Sequence, residues 1–177
     1  MLHTEISTLD ELLHAHATEL GGDFTAYRNH TYRVVNLCVA QSSDRPELEK
    51  MAIAAAFHDL GIWTDGTFDY LQPSVRLARE HLGQSGRADW IPEVETMILE
   101  HHKISAYRTN PQWLVERFRR ADWIDVSRGL RRFGMSKQIV EPIFAMWPSA
   151  GFHKRLVQFE LGRLRTHPWS PLPMVRL

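Results

Sequence analysis

The chain has 177 residues, and its 21 basic and 21 acidic side chains cancel, so no net field draws in extended nucleic acid or an anionic membrane. A single cysteine, Cys38, excludes an intramolecular disulfide; it sits in the apolar run Val34-Val35-Asn36-Leu37-Cys38-Val39-Ala40, where a small buried hydrophobe is expected, and a reducing cytoplasm is its natural setting. The opening residues Met1-Leu2-His3-Thr4-Glu5 lack the pattern of a secretory leader and no apolar run approaches membrane-spanning length, so a soluble single domain large enough to bury its own core is expected.

Helical periodicity dominates the chain. Ser7-Thr8-Leu9-Asp10 reads as the cap of a helix with Leu9, Leu12, Leu13, Ala17 and Leu20 on one face, stopped by Gly21-Gly22. A second helix is expected from about Thr25 to Gln41, with Ser42-Ser43-Asp44-Arg45 ending it and capping a third that starts at Pro46. The third begins polar, with Glu47, Glu49 and Lys50, and turns apolar in Met51-Ala52-Ile53-Ala54-Ala55-Ala56, so it runs into the core and delivers His58 and Asp59 there. Gly61 breaks it, and Trp63 to Tyr70 reads as a loop with a turn at Asp65-Gly66. Further helices are expected at about Pro73 to Leu82, Pro92 to Lys103, Pro111 to Arg128, Ser136 to Met146 and Gly151 to Leu164. No alternating run survives without Gly, Pro or clustered charge, and there is no internal repeat. The tail Pro168-Trp169-Ser170-Pro171-Leu172-Pro173 cannot be helical and is expected to lie extended over the surface. A compact all-α, multi-helix bundle follows, one domain over residues 1–177 with its last helices and tail in 136–177.

An imidazole and a carboxylate close the apolar third helix in Phe57-His58-Asp59-Leu60-Gly61. Charge at the end of a buried segment is costly unless paired, and a divalent metal ion is the natural partner for an inward-pointing His-Asp pair. The dipeptide alone proves little, since this composition yields about 0.5 such neighbours by chance. His30 in the second helix and Asp122 ahead of Trp123-Ile124 complete a set; singly, His30 also reads as a hydrogen-bonded core histidine and Asp122 as a partner for Arg119 or Arg120. In order, Asn29-His30-Thr31-Tyr32-Arg33-Val34, Ala55-Ala56-Phe57-His58-Asp59-Leu60-Gly61, Ile98-Leu99-Glu100-His101-His102-Lys103 and Arg120-Ala121-Asp122-Trp123-Ile124-Asp125 resemble the HD-domain superfamily of metal-dependent phosphohydrolases, over roughly residues 25–128. The resemblance implies that His30, His58, Asp59 and Asp122 hold a divalent ion (Mn, Fe, Co, Ni, Zn or Mg). It also implies that a metal-activated water attacks a small phosphate ester or nucleotide.

Dinuclear members of that superfamily carry further histidines between the central His-Asp and the final Asp. Gln72-Pro73-Ser74 stand where the first would be, and His81 lies about seven residues on, roughly 10 Å of helix rise, so it is expected at the surface or behind the ligands. Adjacent residues on a helix diverge by about 100°, so one of His101 and His102 is expected to face the site and to contact substrate or act as general acid. One metal is therefore expected, and hydrolysis over the dinuclear iron oxygenase alternative; a non-catalytic, metal-stabilised regulatory module is the third reading. Arg33, one turn after His30, is the expected phosphate contact, with Lys103 next, while Arg117, Arg119, Arg120, Arg128, Arg131 and Arg132 read mostly as solvated helix faces. Asp65 and Asp69 serve equally as proton donors or acceptors and as turn formers; Trp63, Phe68 and Tyr70 as a nucleobase platform and as packing. Tyr27 is expected to line the pocket, and His3, His14, His16, His153 and His167 to lie at the surface. Trp147-Pro148 and the tail cover either a partner copy in a homodimer or the protein's own core.

Overall fold

The computed structural model describes residues 2–41, 47–170 and 173–175. Among them the regular structure is helical, in chain order α1 (Ser7–Ala15), α2 (Ala17–Leu20), α3 (Phe24–Val39), α4 (Leu48–Phe57), α5 (Gly61–Thr64), α6 (Leu71–Gln84), α7 (Ile91–Glu100), α8 (Val115–Val126), α9 (Lys137–Met146) and α10 (Phe152–Thr166). No helix among the described residues is long and apolar enough to cross a membrane.

From Met51 onward α4 is apolar all round, and every residue from Lys50 to Phe57 is buried, the mark of a central helix. Its run of alanines lets α1, α3, α6 and α7 pack against it, while α3 also packs on α8 and α9. The chain thus brings the end of α4, the middle of α3 and the middle of α8 to one point.

Several boundaries differ from expectation. The first helix breaks at His16, whose φ of −111° leaves the helical range. Asp10 is not spent on its start but bonds Arg28 Nε at 2.8 Å and accepts from the Tyr32 hydroxyl at 2.6 Å. The cap and start expected at Ser42 to Pro46 lie outside the described residues. Gly61 does not simply break the third helix; it opens the short turn α5 and lets the chain approach the start of α6. A Cβ on Gly61 would stand 2.6 Å from the Tyr70 carbonyl oxygen and 2.8 Å from Pro73 Cβ. The Gly61 amide donates to Ser74 Oγ at 3.0 Å, and α6 begins at Leu71, before the proline that sequence suggests as its start.

The C-terminal tail is not wholly superficial. Trp169 is exposed, but Met174 is buried in a small second core with Ile62, Tyr70 and Leu71. Trp147 is buried and stacks on Tyr32 with ring centroids 5.2 Å apart, so it covers the protein's own core.

Candidate metal centre

Four elements converge on one buried cluster. α3 carries His30, the turn after α4 carries His58 and Asp59, the turn after α7 carries His101 and His102, and α8 carries Asp122. His30, His58, Asp59, His101 and Asp122 are all buried, and His102 is half-buried. His30 Nε2 lies 2.9 Å from His58 Nε2 and 3.7 Å from both Asp59 Oδ2 and Asp122 Oδ1. His58 Nε2 lies 3.3 Å from Asp59 Oδ2 and 3.7 Å from Asp122 Oδ1. The four residues that sequence groups as ligands are therefore brought together.

The other ring nitrogens reveal what the converging ones are for. His58 Nδ1 sits 2.8 Å from the Ala55 carbonyl and His101 Nδ1 2.6 Å from the Ile98 carbonyl. A carbonyl only accepts, so Nδ1 carries the hydrogen in both rings, and the neutral imidazole then presents a lone pair at Nε2. His30 is oriented in the same way, donating from Nδ1 to Asp125 Oδ2 at 2.6 Å. Lone pairs thus face one another and the carboxylates, an arrangement that is favourable only around a cation. Asp59 Oδ1 and both Asp122 carboxylate oxygens are buried without a hydrogen bond, which leaves their charge to be met in the same place. Two imidazoles and two carboxylates make a mixed N/O donor set suited to a divalent transition metal or Mg. In the metal-free cluster a proton takes that role: burial alone lowers the His58 pKa, but the Asp59 and Asp122 carboxylates raise it to about 10.

His101 and His102 both reach the cluster, which corrects the expectation that only one would. α7 ends at Glu100, so the pair sits in a turn and the angular divergence of a continuing helix does not apply. His101 Nε2 is 3.3 Å from Asp59 Oδ1, and His102 Nδ1 is 3.4 Å from Asp122 Oδ2. Ligand atoms of His30, His58 and Asp59 lie within 4.8 Å of one another, and so do those of Asp59, His101 and His102; Asp59 belongs to both groups. Burial, helped by the neighbouring His101, lowers His102 to about 4, so it is neutral near pH 7.

Behind the cluster stands a support that sequence reasoning missed. Asp125 receives His30 Nδ1–H and is gripped by the Arg33 guanidinium, with Nε on Oδ1 and Nη2 on Oδ2 at 3.0 Å. Burial pushes the Asp125 carboxyl up, and the charges and hydrogen bonds of His30 and Arg33 outweigh it, holding the group at about 2. Arg33 is fully buried and also donates to the Trp147 carbonyl at 2.8 Å, so its charge is spent inside the protein, on the carboxylate that orients His30. The signal was available: Asp125 follows Asp122 by three residues as Arg33 follows His30, so each pair shares a helix face. His153, expected at the surface, is buried beside this support with Nε2 3.0 Å from the Asp125 carbonyl.

Two tyrosines fix the front. Tyr27 is fully buried; its hydroxyl donates to the Ala56 carbonyl at 3.0 Å and accepts from the Asp59 amide at 3.3 Å, pinning the turn that carries His58 and Asp59. The Tyr70 hydroxyl lies 2.9 Å from His102 Nε2 and 3.4 Å from His101 Nε2, a contact with the cluster rather than a stacking platform.

Other candidates fall elsewhere. Asp65 pairs with Arg76 at 3.1 Å on the exposed face, and Asp69 pairs with Arg163 of α10, so neither carboxylate is directed into the cluster. Turn geometry after Gly61 sends both outward. Trp63 donates from Nε1 to Asp23 at 3.0 Å and packs on Tyr27, a structural role rather than a substrate platform. Lys103 Nζ is 3.6 Å from Glu100, and its carbonyl accepts from Arg119 and Trp123, which secures the turn that follows His102. Arg119 is buried on Glu116 instead of solvated, and Arg119, Arg120 and Arg131 all lie over the Phe133 ring. His81 is half-buried beside Phe57 and outside the cluster.

A cavity of about 170 Å³ adjoins His102 and Tyr70, walled by Phe68, Trp123, Val126, Leu156, Met174 and Val175, with Glu160 its carboxylate. Comparison with protein-family models, with curated proteins and with solved structures returns no match.

Proposed function

We propose that this chain is a metal-dependent phosphohydrolase of the HD-domain type, working in the cytoplasm on a small phosphate ester, with His30, His58, Asp59 and Asp122 holding one divalent ion. The observation that carries the reading is the buried convergence of imidazole nitrogens and carboxylate oxygens, three of those oxygens without a hydrogen bond, on a point where a cation would balance them. A divalent ion bound there supplies Lewis acidity, drawing the pKa of a coordinated water toward 7 and offsetting charge on phosphoryl oxygens.

The chain's own groups do the rest. Asp125 and the Ala55 carbonyl keep the His30 and His58 lone pairs aimed inward, so the donor set is preorganised. His102 and Tyr70 lie between the cluster and the adjoining cavity, where the leaving group of a bound ester stands. Burial and the nearby Asp59 carboxylate raise the Tyr70 phenol well above its usual range, so it keeps its proton and can hydrogen-bond the departing oxygen, with His102 fixing its direction.

A second reading is favoured by one specific observation, the further donor group of Asp59, His101 and His102. With both groups filled and Asp59 shared, two irons and oxygen chemistry become the alternative. Metal analysis of the purified chain together with a phosphate-ester panel tests the choice. The expected result is about one ion per chain and hydrolysis abolished in Asp59→Ala. Two irons per chain with oxygen-dependent turnover support the oxygenase; stoichiometric metal with no hydrolysis across the panel leaves a regulatory module.

A further inference from the structure

We propose that the cavity beside His102 receives a benzene-sized apolar group carrying an ammonium, so that the substrates are phosphate esters of small aryl or alkyl amino-alcohols and not nucleotides. This rests on the phosphohydrolase reading and names the leaving group within it. The cavity's volume is about 170 Å³. An apolar cavity of roughly 150 Å³ is filled by one benzene, whereas drug-sized ligands occupy roughly 300–1,000 Å³. A nucleoside would have to extend beyond this space.

The wall chemistry points the same way. Phe68, Trp123, Leu156 and Met174 are apolar or aromatic. Among the described lining residues there is no lysine or arginine, and Glu160 is the carboxylate. Arg33 pairs with Asp125 and Arg163 with Asp69, and Arg131 lies over the Trp123 ring, 4.8 Å from its centroid, without lining the cavity. An anionic leaving group would face the Glu160 carboxylate, while an ammonium would pair with it and could also lie against the aromatic wall. Hydrolysis in this pose breaks the phosphorus–oxygen ester bond and adds the oxygen of water to phosphorus. Its proton goes to the departing alcohol beside Tyr70.

Ligand-observed fluorine NMR on the full chain tests this without relying on turnover. The probes are para-fluorobenzylamine, para-fluorotoluene and para-fluorobenzoate, with adenosine monophosphate as competitor. The amine is expected to bind roughly five- to tenfold more tightly than the toluene. Glu160→Gln should remove that difference, and Leu156→Trp, which fills the cavity, should remove both. Benzoate binding as tightly as the amine, displacement by adenosine monophosphate at equal concentration, or an unchanged preference in Glu160→Gln would overturn the assignment. Metal content is read on the same samples. Glu160-dependent amine binding in a chain that takes up no metal would keep the cavity assignment and overturn the phosphohydrolase reading; metal uptake without amine preference would do the reverse.

Discussion

Arg33→Met removes a buried cation while keeping most of the side chain's length. Wild-type Arg33 has no exposed surface and holds Asp125 through two nitrogens, with further bonds to the Trp147 and Pro148 carbonyls at 2.8 and 3.3 Å. Its loss leaves Asp125 with His30 alone, and breaking a buried ion pair by removing one partner costs about 3–5 kcal/mol. That is a large share of the ~5–15 kcal/mol that holds a typical domain together. The Asp125 carboxyl is held at about 2, below its unfolded value, so its contribution is full above the unfolded pKa and is lost as pH falls through about 2. Shifted by nearly two pH units, the group contributes on the order of 2 kcal/mol. Arg33→Met should therefore lower the urea midpoint at pH 7 and move acid unfolding to higher pH, both followed by circular dichroism. Because Asp125 orients His30, divalent-metal affinity measured by chelator competition should fall about 10–100-fold. A variant with wild-type urea and acid transitions but a raised KM for phosphate esters would refute this reasoning and return Arg33 to the substrate.

Metal uptake should displace a proton from His58, which is held at about 10 in the metal-free cluster. Apparent affinity then rises about tenfold per pH unit between pH 6 and 9, and calorimetry in buffers of different ionisation enthalpy should register about one proton released; a flat profile counts against the assigned ligand. The raised His58 pKa stabilises the metal-free protein fully below the unfolded value near 6.5 and is lost as pH rises through about 10, so its Tm should decline over that window while the loaded protein's does not. Gly61→Ala forces a Cβ to within 2.6 Å of the Tyr70 carbonyl and should cost about 1–3 kcal/mol in thermal or urea unfolding; an unchanged midpoint would mean that the α5–α6 seam is looser than its contacts imply. His101→Ala should leave metal content near one per chain while lowering kcat; a fall from two ions to one would favour the dinuclear alternative.

The helical class was legible because α1 carries its apolar residues on one face and α4 turns from a polar start into an unbroken apolar run. His58 and Asp59 were legible because two polar residues end an otherwise apolar run, and His30 and Asp122 through their order along the chain. What was hidden depends on distance in space. Arg33 reads as a free cation beside His30 until the fold sets Asp125 against it from α8. The joint approach of His101 and His102 follows from α7 stopping at Glu100, a boundary that no glycine or proline marks. Asp65 and Asp69 were drawn in by nearness to the central pair, yet the tight α5 turn carries them to the surface. The burial of Met174 follows a proline-rich stretch whose sequence speaks only against helix.

The acceptors that orient the three imidazoles are unlike in kind. His58 and His101 are set by the Ala55 and Ile98 carbonyls, main-chain groups that no substitution deletes and no acid titrates. His30 is set by Asp125, a side chain held at about 2 by its neighbours. Two corners of the cluster are therefore hard-wired into the peptide backbone, and the third is adjustable. Variation at the Arg33–Asp125 pair would therefore tune how strongly the cluster could grip a cation without disturbing the other corners.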